Sequence, residues 1–475
     1  MNTPTSCISY VRRPLHKAAI LVGTALLGVM TACGGDGTPA LIPTPGSAAV
    51  QVNLGDGPAD WMLAFSMNVT SMVLNGSNGS VNVTDTATPM EMLHRLGTME
   101  PIALISAPQG NYTGATMTIA SCNVTYLDPT THAMVQKTIS GPFNATIPFA
   151  SSVTLGTTPL AFNFDLDLEH SVTMDGSGNL QFSPKFQTST GTQTAAGNNG
   201  YGSRNGGMQR MMGVVSSSTA SSFNVIPLQA TNTFTFAVNA ATQFQGQVSN
   251  MAMLGAGMGV LVSAKLQPDG TLLATRVRAS MKSGGIMGGG IITSVTGLPA
   301  TELTLVMQNG AGASVMTSYL SQTLTVNLTA DTSYQIDNDR IDLTKLPFTP
   351  VFDASNIYAG QSVLPTSTSG IVVSGISGTA GTITASDVSL QEQGFRGTTD
   401  VAITPGASGT FVLTLMPGCA FTTLTGATTI TVYQQTGTNV EDSTAIPAAA
   451  TLRIHGLLFK NAGEWTLIAS TIAAS

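Results

Sequence analysis

The stretch Gly259-Val260-Leu261-Val262-Ser263-Ala264-Lys265-Leu266-Gln267-Pro268-Asp269-Gly270-Thr271-Leu272-Leu273-Ala274-Thr275-Arg276-Val277 decides the fold class. Two runs rich in aliphatic and β-branched residues flank Gln-Pro-Asp-Gly. Pro268 presets φ for a turn and Gly270 supplies the positive φ that closes it. A strand, a tight turn and a strand follow from those residues alone.

The same grammar spreads in both directions. Residues 213–473 read as a threefold internal repeat. The opening strands are Ser222–Ile226, Glu302–Val306 and Thr410–Thr414. A second strand with a Thr-containing turn follows each: Phe234–Val238 with Thr242, Leu324–Leu328 with Thr332, and Ile430–Tyr433 with Thr438. Each unit closes on a Gly-led strand beginning at Gly270, Gly381 or Gly463. Five or six short strands per unit predict small barrels, in modules spanning 213–280, 289–392 and 393–475. Residues 46–188 read as a β-sandwich-like domain and 189–212 as a linker. Ser283–Gly290 reads as a further linker. The fold class is therefore all-β, a sandwich-like domain followed by three barrel-like modules. One short helix is predicted at Thr88–Leu96, from a Thr cap, Pro89 at the first turn and Glu91 three residues after the cap.

Residues 1–33 have a cationic start (Arg12, Arg13, His16, Lys17), an apolar run at Ala18–Met30 and the close Met30-Thr31-Ala32-Cys33. A 13-residue apolar run suits a signal peptide and is too short for a spanning helix, which needs about 20 residues. The close is similar to a bacterial lipobox. The expectation is a signal peptide over 1–32, lipid on Cys33, a Gly/Pro-rich tether over 33–45, and residence in the cell envelope, with Gly34 favouring the outer membrane.

Charged residues make up 9% of the chain, and the formal net charge is −7. Loss of residues 1–32 removes Arg12, Arg13 and Lys17 and no acid, so −7 becomes −10. With no cluster of Lys and Arg after the leader, nucleic acid is not an expected partner. Cys122 and Cys419 read as buried free thiols.

Several blocks in 46–188 carry a resemblance. They are Val52–Trp61, with its Asp56-Gly57-Pro58-Ala59-Asp60 turn; Met67–Leu74; Pro108-Gln109-Gly110-Asn111-Tyr112-Thr113; Phe162–Leu168; and Phe182–Phe186. Together they resemble an uncharacterised family of secreted bacterial and archaeal domains found in lipoproteins. The unit 213–280 is similar to a second uncharacterised family, of small barrel modules. These resemblances imply β-rich envelope domains and no activity.

No Gly-x-Ser-x-Gly, His-Glu-x-x-His or phosphate-binding Gly-x-x-x-x-Gly-Lys is present, so no catalytic or cofactor-binding residue is assigned. Asp165, Asp167 and Glu169 alternate with apolar residues, which would place three acids on one strand face. Such oxygens suit Ca²⁺, and the alternative is a solvated edge face. Asp337–Asp342 lacks the glycine and distal Glu of a calcium loop and reads as a turn. Glu91 and His94 read as a chance pair, His132, His170 and His455 as scattered, and Met208, Met211 and Met212 as linker residues. The expected function is a lipid-anchored envelope protein presenting β modules for contact with a polysaccharide or an envelope protein. The alternatives are a glycan hydrolase and a calcium-stabilised scaffold. A deep pocket with convergent acids would favour the hydrolase, and flat or convex surfaces would favour binding.

Overall fold

A computed structural model describes residues 45–474, apart from 58, 96–98, 129, 193–206, 231, 247, 280–284, 313–318, 339–340, 369–371, 374–380 and 442–444. The expected leader, Cys33 and most of the tether lie outside the described residues.

The chain is all-β. In the N-terminal part, one sheet runs Phe186–Thr192, Leu160–Asp167, Ser47–Gly57, Met99–Pro108 in spatial order. The other runs Val81–Thr84, Met62–Gly76, Gly110–Leu127, Met134–Leu155, with Thr88–Glu91 also paired to Met62–Gly76. Alternating residues of both sheets point inward, as two stacked sheets require. Val52, Leu54, Phe162 and Phe164 from one sheet meet Phe65, Met67, Met72 and Met117 from the other in a single core.

Three further groups of strands share one order. In the first, Phe234–Ala237, Ser222–Pro227, Gly207–Ser218, Gly259–Leu266 and Leu272–Ala279 are neighbours in that sequence, and the last pairs back to the first. Gln243–Gly246 continues alongside Leu272–Ala279. In the second group the closing strand is split. Gly381–Thr384 pairs in parallel with Thr323–Asn327, and Asp387–Leu390 pairs with Ser333–Ile336 and Ser362–Ser367. The third group, Glu392–Thr398, Gly409–Leu415, Thr429–Val440, Glu464–Ala474 and Thr451–Asn461, forms a closed barrel.

One device recurs at the same place in all three. Thr242, Thr332 and Thr438 are buried, and each hydroxyl donates at 2.8 Å to a carbonyl of the closing segment, at Ala274, at Ala385 between the two halves of the split strand, and at Ala469. Each also accepts a backbone N–H from three residues earlier, at Asn239, Thr329 and Gln435. A buried hydroxyl must be satisfied, and this one latches the turn to the barrel wall.

The opening hairpin is present as read. Gly270 has φ +85° and its N–H donates to the Gln267 carbonyl at 2.9 Å. Three local readings are corrected. Thr88–Glu91 is a strand in register with Ser66–Val69, followed by a 3₁₀ turn at Leu93–Arg95, because Met90 and Met92 are drawn into the sandwich core. The stretch read as a linker is strand at both ends, Phe186–Thr192 and Gly207–Ser218, and Met211 and Met212 are buried core residues. Likewise Ile286–Gly297 is a strand, so Gly288, Gly289 and Gly290 lie inside a sheet. A Cβ on Gly290 would come 1.9 Å from the Val306 carbonyl oxygen, so only glycine permits that approach.

Among the described residues no helix is long and apolar enough to cross a membrane. The sandwich and barrels abut one another. Leu63 and Ala64 cluster with Val306 and Ala420, and the Thr125 hydroxyl donates to the Ser321 carbonyl at 2.7 Å.

Candidate functional site

Where sandwich, second barrel and third barrel meet, the chain forms a partly open cavity of about 130 Å³. A single water needs about 10–15 Å³ by the same kind of measure, so the space suits a small organic molecule. The sandwich contributes Asp60 from the turn between its first two strands, with His94 and Glu100. The second barrel contributes Gly289, Gly290, Gln308 and Asn309. The third contributes Glu392, Phe395, Phe421 and His455.

Two histidine–carboxylate groups face this space. In the first, Glu91 Oε1 accepts the backbone N–H of Phe65 at 3.0 Å, and Oε2 lies 2.7 Å from His94 Nδ1. His94 Nε2 lies 2.9 Å from Glu100 Oε1. An imidazole can donate from both nitrogens only as the cation. Burial works against that form, but the Glu100 charge and the hydrogen bonds to Glu100 and Glu91 outweigh it and hold His94 above its ordinary pKa. Arg95, 1% exposed, donates to the Glu91 carbonyl at 3.0 Å and pairs with Glu100 at 3.3 Å. Gln229 of the first barrel accepts from the Glu91 N–H at 2.8 Å and donates to the Gln308 carbonyl at 3.2 Å. Gln308 donates to the Leu63 carbonyl at 2.8 Å. Sandwich, first barrel and second barrel are thereby stitched through buried polar groups.

In the second group, Glu392 Oε2 lies 2.8 Å from His455 Nδ1 and accepts the Ser470 hydroxyl at 2.6 Å. These three come from three strands of the third barrel. The serine bonds to the carboxylate and not to the imidazole, so the order of a Ser-His-acid nucleophile is not reproduced.

Of the three carboxylates that line the cavity, Asp60 is the least settled. Arg396 Nε lies 3.1 Å from its Oδ2, yet neither atom makes an aligned hydrogen bond. Burial pushes the Asp60 carboxyl up to about 6, and Arg396 offsets that only in part. Arg396 turns its other nitrogens to Glu169, with NH2 donating at 2.7 Å. Cys419 beside Asp60 is held as the thiol, pushed up to about 11 by burial and then by the Asp60 charge. Cys122 is likewise buried and free.

The acids singled out from sequence lie elsewhere. Asp165 and Asp167 are on Leu160–Asp167, but the chain leaves the strand there. Asp167 caps the short helix Leu168–Ser171 and sits 2.8 Å from His170 Nδ1. Glu169 is therefore helical and committed to Arg396, and the expected three-acid strand face is not formed. Among the described residues no three His, Cys, Asp or Glu side chains are placed to hold a metal ion. Asp337 is buried, and Asp342 caps the 3₁₀ turn Leu343–Lys345. Glu91 and His94, read as a chance pair, are in contact. Asp60, Glu100, Glu392 and His455 were not combined by sequence reasoning.

Residues 212–278 match the family described as Domain of unknown function (DUF5666). The first barrel is thus a domain of an uncharacterised family. It reaches the site through Gln229. No curated protein matches the chain.

Proposed function

We propose that this is a lipid-anchored protein of the bacterial cell envelope that binds a small ligand, or the end of a larger one such as a polysaccharide, in the junction cavity. The observation that carries the binding reading is the cavity itself, walled by carboxylates, imidazoles, amides and two phenylalanines from three separate parts of the fold. Binding sites are concave, largely apolar and fitted with a few convergent polar groups. The N-terminal sequence supports the anchor, and the Gly/Pro-rich segment after Cys33 supports a tether. The blocks around Asp56–Asp60 and Phe162–Leu168 support kinship of the sandwich with secreted lipoprotein domains.

Thermal unfolding against a panel of sugars, amines and organic acids tests the binding. A ligand stabilises by RT ln(1 + [L]/Kd), so at least one panel member should raise the melting temperature of the protein and not of Leu424→Trp, which fills the cavity. No response to any member would overturn it. Cys33→Ser should move the protein from the membrane to the soluble fraction, and retention in the membrane would overturn the anchor.

A second reading is favoured by one observation. Asp60, raised to about 6, shares the cavity with Glu392, and a raised acid beside a second carboxylate suits glycoside hydrolysis. It ranks second because Glu392 is tied to His455 and Ser470, and Glu100 to His94 and Arg95. Release of reducing sugar from envelope glycans, lost in Asp60→Asn, would promote it.

A further inference from the structure

The chemistry of the ligand follows from the hydrogen-bonding character of the cavity wall, and this step rests on the binding reading above. The wall holds three carboxylates, on Asp60, Glu100 and Glu392, and neither Lys nor Arg lines it. Several of its potential donors are already engaged. Both nitrogens of His94 face carboxylates. The side-chain nitrogens of Gln308, Gln391 and Gln393 point at the backbone carbonyls of Leu63, Leu390 and Gly360, at 2.8, 3.3 and 2.9 Å. Acceptors are left over. Asn309 Oδ1 is buried without a hydrogen bond, and Asp60 Oδ2, 3.1 Å from Arg396 Nε, lacks an aligned one. A buried acceptor with no donor costs about 1–3 kcal/mol, and a ligand N–H that reached either oxygen would recover part of that.

The remaining wall is apolar. Phe395 and Phe421 meet edge to face with centroids 5.1 Å apart, and Met62, Leu63, Ile291 and Leu424 complete the lining. Ring faces attract cations as well as apolar groups. We propose that the junction cavity binds a small protonated amine with a compact apolar body, with Asp60 as its counter-ion and the phenylalanines around its body. Anionic ligands are disfavoured by the carboxylates. Neutral polyols are disfavoured because they carry no positive charge to meet the three wall carboxylates.

Calorimetric titration of the full chain in detergent with benzylamine, benzyl alcohol and benzoate tests this at about pH 7.5 and about pH 5. Benzylamine should bind, with benzyl alcohol at least about tenfold weaker and benzoate inert, since a charged hydrogen bond contributes about 1.5–3 kcal/mol. Asp60→Asn should weaken benzylamine by about tenfold or more and leave benzyl alcohol unchanged. Benzylamine affinity should also fall at the lower pH, where Asp60 takes up a proton. Equal binding of amine and alcohol, binding of benzoate, failure of benzylamine to bind, or indifference of the amine to Asp60→Asn would each overturn the proposal. If a sugar or acid of the wider panel binds in its place, the cavity remains a binding site and the amine assignment alone falls. If the wider panel is inert as well, both fall.

Discussion

Asp60→Asn should make the protein more stable at neutral pH, although it removes one partner of an ion pair. The Asp60 side chain is 10% exposed, and Arg396 approaches at 3.1 Å without an aligned hydrogen bond. The desolvation of the carboxylate therefore exceeds what the guanidinium returns. The result is a carboxyl raised from 3.8 to about 6 by burial. A raised acid is protonated more readily in the folded than in the unfolded chain. Its effect on stability is then most favourable below about pH 4 and is lost as pH rises through about 6. The interval between 3.8 and about 6, at 1.36 kcal/mol per pH unit, corresponds to about 3 kcal/mol. Asparagine has the shape of the neutral acid and cannot ionise. The variant should gain up to about 3 kcal/mol near pH 7.5, gain little near pH 4, and show a flatter dependence between them. Urea unfolding at a series of pH values measures this as the difference in midpoint between variant and parent, which cancels the other titrating groups. A variant less stable than the parent near pH 7.5, or a difference independent of pH, would refute the reasoning, since either would mean that the Arg396 pair prevails over burial.

Three other perturbations follow. Arg278 joins the first barrel to the second, with Asp387 at 2.8 Å and Ser389 at 2.5 Å. Arg278→Leu strands Asp387, already raised by burial and held down by Arg278, and should cost about 3–5 kcal/mol at neutral pH by urea unfolding. Thr438→Val removes the donor to Ala469 and the acceptor for Gln435, and the same assay should show a loss of about 1–3 kcal/mol. Cys122 and Cys419 are buried thiols raised by desolvation, so iodoacetamide should modify both in denaturant and neither in the native protein, as read by peptide mass.

The all-β class was legible because period-two patterning and turn chemistry are local. Pro268, Asp269 and Gly270 specify their turn without help, and the Gly-led closing strands could be matched from sequence. The misreadings arose where tertiary burial overrode local signals. Thr88-Pro89-Met90-Glu91 has the composition of a helix start. In the fold Met90 and Met92 enter the core, and Glu91 receives the N–H of Phe65, so extended backbone prevails. The glycines of Ser283–Gly290 have the composition of a linker, whereas Gly290 is demanded by the neighbouring Val306 carbonyl. Asp165, Asp167 and Glu169 kept period two in sequence, but the turn at Asp167 breaks the strand before Glu169.

The cavity was not legible because its wall is drawn from segments hundreds of residues apart, brought together by contacts that no local pattern encodes. A fainter signal was present. In a chain with 9% charged residues, Glu100 stands within Met99-Glu100-Pro101-Ile102, Glu392 within Leu390-Gln391-Glu392, and His455 within Ile454-His455-Gly456-Leu457. A buried ionisable group costs stability unless it is paired, and each of these three is paired with a residue far along the chain or across a turn. The barrels fill their interiors largely with their own apolar side chains, the second also packing against Leu457, Phe459 and Ile468 of the third, and the sandwich fills its own. Space for a ligand arises where unlike units abut and leave a gap beside their shared contacts. That is also where buried polar groups must find partners across the joint, as Gln229, Gln308 and Arg95 do. Binding chemistry at such a joint would couple ligand occupancy to the relative placement of sandwich and barrels, because Asp60 belongs to one and Phe395, Phe421 and Arg396 to the other.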